Sequence, residues 1–131
     1  MGGGKGVQVK ITKEFRDKLI AADHAFLACR DDCSLTFVKS LKVPGFGHAT
    51  LQDPCTLETT DEEFPRFDSV YISHSILQAL FYTLREGDNL TVFAQKLEKD
   101  RKLYLVSAHI NRNNKTGPMV LTFPLAVVRG K

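Results

Sequence analysis

The chain has 131 residues, of which 43% are hydrophobic and 25% are charged, so it can form one domain with a packed core. Its formal net charge of +3 permits a polyanionic partner without requiring one. No apolar run approaches the roughly 20 residues that span a bilayer, which excludes a membrane-spanning helix. The start, MGGGKG, lacks the apolar segment of a signal peptide. Residues 1–6 are therefore expected to be a flexible leader, and the protein is expected to be cytoplasmic.

The first half of the chain begins with a strand pattern and continues with a helix pattern. Val7, Val9 and Ile11 alternate with polar residues, which is typical of a half-buried strand. Thr12 is a suitable N-cap, and one apolar stripe predicts a helix over roughly 13–28. That stripe consists of Phe15, Leu19, Ala22 and Phe26. The segments predicted next are a strand, a short strand and an acidic connector, over 34–43, 48–52 and 53–65.

The second half has clearer signals. A strand is predicted over 67–72, and Ser73 or Ser75 can cap a helix over roughly 74–85. The buried stripe of this helix consists of Leu77, Leu80, Phe81 and Leu84. Gly87 suits the turn that follows. Three more strands are predicted, over 90–97, 103–110 and 119–128, and Pro124 places the last of them at a sheet edge or a bulge.

The order of apolar residues in the second half matches that in the first. The matched pairs are Val9 with Val70, Ile11 with Ile72, Phe15 with Ile76, Leu19 with Leu80, Ile20 with Phe81, and residues 35–38 with residues 90–93. An internal repeat constrains the whole fold. We therefore expect one α+β domain over 7–131, with repeat one over about 7–57 and repeat two over about 67–128. Short hairpins predict antiparallel sheets, two helices packed on them, and a pseudo-twofold axis between the repeats.

Candidate catalytic and metal-binding groups are few. Cys29, Cys33 and Cys55 are expected to be reduced thiols, because the chain shows no export signal. A zinc site that also uses His48 is an alternative, but the sequence has no second closely spaced pair of ligands. No nucleophile motif accompanies the four scattered histidines. We expect no enzyme activity, no metal and no cofactor, and interpret the acidic run at 61–63 as a solvated loop.

Basic residues gather at several points along the chain. They are Lys13, Arg16 and Lys18 in helix one, Lys96, Lys99, Arg101 and Lys102 at a hairpin tip, Arg112 and Lys115 in the next turn, and Arg129 and Lys131 in the tail. Such clusters can neutralise phosphates, and they are equally typical of an ordinary solvated surface. Tyr82 and Arg85, on the outward side of helix two, can add stacking and charge to a nucleic-acid surface.

The tandem strand–helix–strand units resemble one domain of a DNA sliding clamp. The segment that carries the resemblance best is FDSVYISHSILQALFYTLREGDNLTVFAQKLEKDRKLYLVSAHI, and the resemblance extends over about residues 7–128. It implies a processivity factor that encircles duplex DNA in a ring of six such domains and tethers a polymerase or another partner. This chain carries a single domain, so a ring would need six copies. The residues that the resemblance assigns to DNA are Lys13, Arg16, Lys18 and His24 in repeat one, and Gln78, Tyr82 and Arg85 in repeat two.

The expected function is thus a non-enzymatic, DNA-associated factor that binds duplex DNA without sequence preference and assembles into a homo-oligomer through its edge strands. The last strand, over 119–128, is the edge expected to carry this assembly. One alternative is a protein-interaction module, an adaptor or inhibitor, that uses the fold without DNA. Another is a small enzyme or ligand-binding protein, which a pocket lined by polar groups from both halves would favour.

Overall fold

The computed structural model describes residues 6–59, 63–98 and 102–131. These residues form eight strands and two helices, in the order β1 (Val7–Lys10), α1 (Lys13–Ala21), β2 (His24–Cys29), β3 (Cys33–Val43), β4 (Gly47–Thr59), β5 (Phe67–Ile72), α2 (His74–Thr83), β6 (Asn89–Glu98), β7 (Leu103–Asn114) and β8 (Gly117–Arg129). The predicted α+β class is confirmed, with strands far outnumbering helices. Of the predicted leader, residues 1–5 lie outside the described residues.

All pairings between the strands are antiparallel, as predicted from the short hairpins. The strand order is β5-β2-β3-β4-β1-β6-β7-β8. The two strands at the ends of this order come close together near the C-terminus. There the backbone N–H of Lys131 donates to the carbonyl oxygen of Arg66, and the Lys131 ammonium pairs with Asp68 at 2.9 Å. The sheet therefore curls until its two ends nearly meet.

The core lies between this curled sheet and the two helices. Leu19 of α1 and Leu77 of α2 are fully buried, and they belong to one apolar cluster with strand residues such as Leu27 and Val106. Apolar burial of this extent is the main driving force for folding. Within the described residues, no helix combines the length and the apolar character that crossing a membrane requires.

Both predicted N-caps are present. The Thr12 hydroxyl accepts a hydrogen bond from the N–H of Phe15 at 3.1 Å, and the Ser73 hydroxyl accepts one from the N–H of Ile76 at 3.3 Å. Each hydroxyl satisfies a donor that the first helical turn leaves unpaired. The caps therefore fix where α1 and α2 begin.

Helix one ends much earlier than predicted. The sequence favoured a helix over 13–28, but α1 stops at Ala21, and 24–29 is the strand β2. In β2 the buried side chains are Ala25, Leu27 and Cys29, which alternate along the chain. These residues fit either period over so short a run. Pairing with β3 on one side and with β5 on the other decides in favour of the strand.

This strand also changes the repeat alignment. Residues 35–38 lie in β3, whereas residues 90–93 lie in β6. The strand that directly follows the helix is β2 in the first half and β6 in the second. The LTFV and LTVF segments therefore occupy different places in the strand order, and their match was misleading.

The strands of the second half agree well with the predictions, but β4 does not. Strand β5 has the predicted bounds, and Pro124 lies on the end strand β8, beside a register shift at 106–107. Where a short strand and an acidic connector were expected, β4 runs unbroken over 13 residues. Residues 53–59 thus belong to a strand that pairs with β3. Of the acidic run, Asp61 and Glu62 lie outside the described residues.

The expectation of three reduced cysteines was wrong for two of them. Cys29 and Cys33 are directly opposite each other where β2 turns into β3, and their sulfurs form a disulfide. Cys55 is the free, half-buried thiol. The expectation followed from the cellular compartment alone, which says nothing about the strand register that brings Cys29 and Cys33 together. No group of three or more potential ligands in the described parts of the chain is arranged to hold a metal ion.

Candidate functional site

The two helices lie side by side and run in opposite directions. The start of α1 is beside the end of α2, because the N–H of Gly87 donates to the carbonyl oxygen of Ile11 at 2.8 Å. The end of α1 is beside the start of α2, where a ring nitrogen of His74 lies 3.2 Å from the carbonyl oxygen of Ala22. The helix pair therefore presents one continuous face, which includes most of the residues that the resemblance assigns to DNA.

Arg16 faces the neighbouring helix and not the solvent. Its guanidinium donates to the carbonyl oxygens of Phe81 and Leu84, both at 3.0 Å, and lies 4.3 Å from the centre of the Phe81 ring. The last carbonyls of a helix have no partner within the helix, and a cation there also complements the helix dipole. Arg16 thus caps the C-terminus of α2, and two of its N–H donors are used in that cap.

The ammonium of Lys18 also has partners within the protein. Its ammonium lies 3.3 Å from a carboxylate oxygen of Asp53 on β4 and 3.7 Å from Glu14, and its side chain is three-quarters buried. Burial alone would lower the pKa of Lys18, but the hydrogen bond and charge of Asp53 outweigh it and raise the pKa. Lys18 therefore ties α1 to β4.

Arg112, which the sequence placed in a solvated turn, is largely buried in β7. It forms an ion pair with Asp88 at 2.7 Å and donates to the carbonyl oxygen of Thr83, near the end of α2. Burial by itself raises the pKa of Asp88, but hydrogen bonds from Arg112 and from the N–H of Arg85 lower it overall. A second guanidinium therefore holds the end of α2.

His24 is not on the helical face. It lies on β2, where its ring contacts Phe26 and Tyr71 at centroid distances of 5.4 Å. Phe26 and Tyr71 are directly opposite each other on β2 and β5, and Tyr71 is 56% exposed. The prediction placed His24 in a helix that had already ended. The structure instead makes it part of an aromatic cluster on the sheet.

The remaining predicted residues do reach the surface of the helix pair. Lys13 is exposed, with its ammonium 3.0 Å from Asp17, and Arg85 is exposed just beyond α2. Tyr82 is 76% exposed, and Gln78 on the same helix is half-buried. The hydrogen bond and charge of Asp17 raise the pKa of Lys13, so this residue stays cationic at neutral pH. Four of the seven residues that the resemblance assigned to DNA thus remain on one accessible face: Lys13, Gln78, Tyr82 and Arg85.

A small cavity of about 30 Å³ lies at the junction of the two halves. Apolar side chains from both halves line it, among them Val9, Phe15, Leu80 and Val92. Polar groups that converge on a pocket are what position a substrate or ligand. Because this lining is wholly apolar, the cavity does not favour the enzyme or ligand-binding alternative.

Comparison of the chain with protein-family models, with curated proteins and with solved structures found no match.

Proposed function

We propose that this chain is a sliding-clamp-like domain that acts by binding duplex DNA without catalysis. One observation carries the proposal: two βαβββ segments place their helices side by side on one face. Such a face is what the sliding-clamp resemblance implies for a channel around DNA. The capped, antiparallel helices form a rigid surface, which suits contacts that must not depend on base sequence.

Two matching strand junctions support a pseudo-twofold relation between the halves. Strand β1 pairs with β6, and Val9 is opposite Leu90; strand β5 pairs with β2, and Val70 is opposite Leu27. In each case the strand before one helix pairs with the strand after the other. The proposed repeat therefore aligns β2 with β6, and not the LTFV and LTVF segments.

The proposed DNA-contacting set is smaller than the one inferred from the sequence. It consists of Lys13, Gln78, Tyr82 and Arg85, because Arg16 and Lys18 are partly buried against partners on other elements and His24 lies on the sheet. Lys13 also has an ion-pair partner, Asp17, but that pair is exposed to solvent. Lys13 and Arg85 would contact phosphates, and the exposed ring of Tyr82 would pack against the backbone sugars. Because this set contains few cations, one domain alone would bind DNA weakly. Several copies in one assembly would bind more tightly through their combined contacts.

Two unpaired strand edges offer a route to assembly. Strand β8 pairs only with β7, and β4 is free of β1 except at Glu58 and Thr59. Pro54 and Pro124 lie on these two strands, where the missing N–H is tolerated. An unpaired edge is a template for another strand. We propose that residues 52–57 of β4 in one copy pair with β8 of the next, which builds the ring implied by the resemblance and lets it tether a polymerase or another protein partner.

The test combines a charge-neutral variant with two forms of DNA. In Lys13→Gln/Arg85→Gln, the slope of log binding constant against log salt should fall by about two units, since each phosphate contact contributes roughly 0.9. The matched control, Lys96→Gln/Lys115→Gln, removes the same charge from exposed positions on β6 and in the β7–β8 turn and should leave the slope near the parental value. A ring should also remain on closed circular DNA and slide off the same DNA once cut.

Equal slopes for the two variants would contradict the helical face as the DNA site. Equal retention on circular and cut DNA would contradict the ring. A parent protein that binds neither form at low salt would overturn the DNA proposal as a whole.

The protein-interaction module remains the second candidate, and one observation favours it. His24, Phe26 and Tyr71 form an aromatic cluster on the sheet, in which Tyr71 is exposed and the other two side chains are half-buried. Exposed aromatic side chains are enriched at protein interfaces. If the parent protein binds no DNA in the test above, this cluster becomes the leading candidate for a binding surface.

A further inference from the structure

The hairpin between β3 and β4 extends beyond the rest of the fold. Strand β2 pairs with β3 only as far as Val38, and the register then continues from Lys39 opposite Leu51 to Val43 opposite Gly47. Here residues 39–51 are termed the arm. Over this length the sheet has only two strands, and every residue from 44 to 51 is exposed. Two strands alone bury little apolar surface, so this projection contributes little to stability.

The arm carries two lysines, Lys39 and Lys42, both on its β3 strand. Between Lys39 and Gln52 the sequence contains no acidic residue. Lys39 and Lys42 are exposed, and neither has an ion-pair partner among the described residues. Lys42 is opposite His48, and two residues away Ser40 is opposite Thr50. One face of the arm therefore presents Lys42 beside three side chains that can form hydrogen bonds, and Lys39 lies on the other face. The two lysines can thus reach the two phosphate backbones on either side of a groove.

The tip of the arm presents an aromatic side chain to solvent. Phe46 is 88% exposed, and its N–H donates to the carbonyl oxygen of Val43 at 3.0 Å, which closes the turn. Gly45 and Gly47, on either side of it, have φ values of +80° and +91°, a backbone conformation that side chains rarely allow. The turn thus holds Phe46 outward. The tip of the β7–β8 hairpin, Lys115 and Thr116, carries no aromatic residue.

The dimensions of the arm match a groove of duplex DNA. Five residues per strand at about 3.3 Å each give a reach of roughly 16 Å. The major groove is about 12 Å wide and 8.5 Å deep and admits a two-stranded ribbon. We infer that the arm enters the major groove of duplex DNA, with Lys39 and Lys42 at the phosphates and Phe46 against base edges. This inference rests on the proposed function in taking duplex DNA as the ligand. It adds a weak thymine contact of the arm to the phosphate contacts of the helical face, which stay independent of base sequence.

The contact expected of Phe46 has a specific chemical signature. The C5-methyl group of thymine is the apolar feature of the major groove, and Phe is among the side chains that contact it. Uracil lacks this methyl group and otherwise presents the same edge. The parent should therefore bind a thymine-rich duplex about threefold to tenfold more tightly than the same duplex made with deoxyuridine, which corresponds to one or two buried methyl groups.

Three variants divide the inference into parts that can be measured on these two duplexes. Phe46→Ala should lose the preference for thymine but keep the parental salt slope. Lys39→Gln/Lys42→Gln should keep the preference but lower the salt slope by about two units. Leu97→Ala, which truncates a side chain 48% exposed on β6, is the matched control and should change neither. All of these side chains are exposed, so melting temperatures should stay close to the parental value.

The outcomes separate the arm from the helical face. If the parent binds DNA, but Phe46→Ala keeps the thymine preference or the parent shows none, the groove contact of Phe46 is wrong while the proposed function stands. If the lysine variant keeps the parental slope, the arm does not contact phosphates. If the parent binds neither duplex, the arm inference and the proposed function both fail.

Discussion

The two helices, of nine and ten residues, differ in how their ends are stabilised. Helix α1 carries Glu14 in its first turn and Lys18 in its last, so its own sequence complements the helix dipole. Helix α2 has no acidic residue in its first turn and no basic residue in its last. Its last carbonyls are bonded instead by Arg16 from α1 and Arg112 from β7. The comparison teaches that an apolar helix can obtain from its neighbours the charges that it lacks.

The largest expected effect comes from removing the buried cation at the end of α2. Arg112→Leu leaves the Asp88 carboxylate buried without its partner and should destabilise the protein by about 3–5 kcal/mol. The folded-state pKa of Asp88 is lowered, so the pair contributes its full stability above the unfolded pKa of about 3.9 and loses it as the pH falls through the lower folded value. Urea unfolding at several pH values measures both effects.

The difference between parent and Arg112→Leu should therefore be largest near neutral pH and shrink below about pH 4, where Asp88 of the unfolded chain becomes protonated while the folded parent still holds it ionised. Arg85→Leu is the matched control, since its side chain is exposed and should cost little. A difference between parent and Arg112→Leu that does not change with pH would mean that the guanidinium acts by packing and not by charge.

Leu19 and Leu80 occupy equivalent positions in the proposed repeat, so truncation of each tests whether the two halves are related. Leu19 in α1 and Leu80 in α2 are 0% and 4% exposed, and each lies seven residues after its N-cap. Truncation of either to alanine should cost about 2–5 kcal/mol, because each leaves a cavity in the same core. Thermal or urea unfolding of the two variants side by side measures this, and values that agree within about 1 kcal/mol would support equivalent positions. A loss below 1 kcal/mol at either site would contradict the proposed repeat.

The smallest expected effect concerns the two N-caps. Thr12→Ala and Ser73→Ala should each cost about 1 kcal/mol, since each removes one acceptor for a first-turn N–H. Thr12→Ser and Ser73→Thr keep the hydroxyl and should retain most of the stability. If the alanine variants matched these controls in urea unfolding, the hydroxyls would have no capping role, and the helix starts would depend on tertiary packing.

The sequence predicted local features well wherever one pattern dominated. It located both N-caps, the strand β5 with its correct bounds and the apolar stripe of α2, whose Leu77, Leu80 and Leu84 are buried. It failed between Ala22 and Cys29, where the residues fit a helical stripe and a strand equally well. Because of that error, His24 was predicted to lie on the helical face. It also aligned the LTFV segment with the wrong strand.

The candidate site could be predicted only in part, for a different physical reason. Sequence reasoning found the exposed Lys13, Tyr82 and Arg85, but it could not tell them from Arg16 and Arg112. A guanidinium that binds phosphate and one that caps a helix have the same local pattern. What separates them is the position of carbonyl oxygens that are about 65 and 29 residues away along the chain. The arm escaped notice because only the strand register shows that β3 and β4 extend beyond their neighbours.

The sequence by itself determined the caps, the breaks and most of the apolar alternation, because these depend on residues within one turn or one hairpin of each other. The tertiary structure decided that 24–29 is a strand and that two arginines stabilise the end of α2. Each of these depends on hydrogen bonds and burial between distant segments, and such contacts exist only once the sheet has curled around the helices.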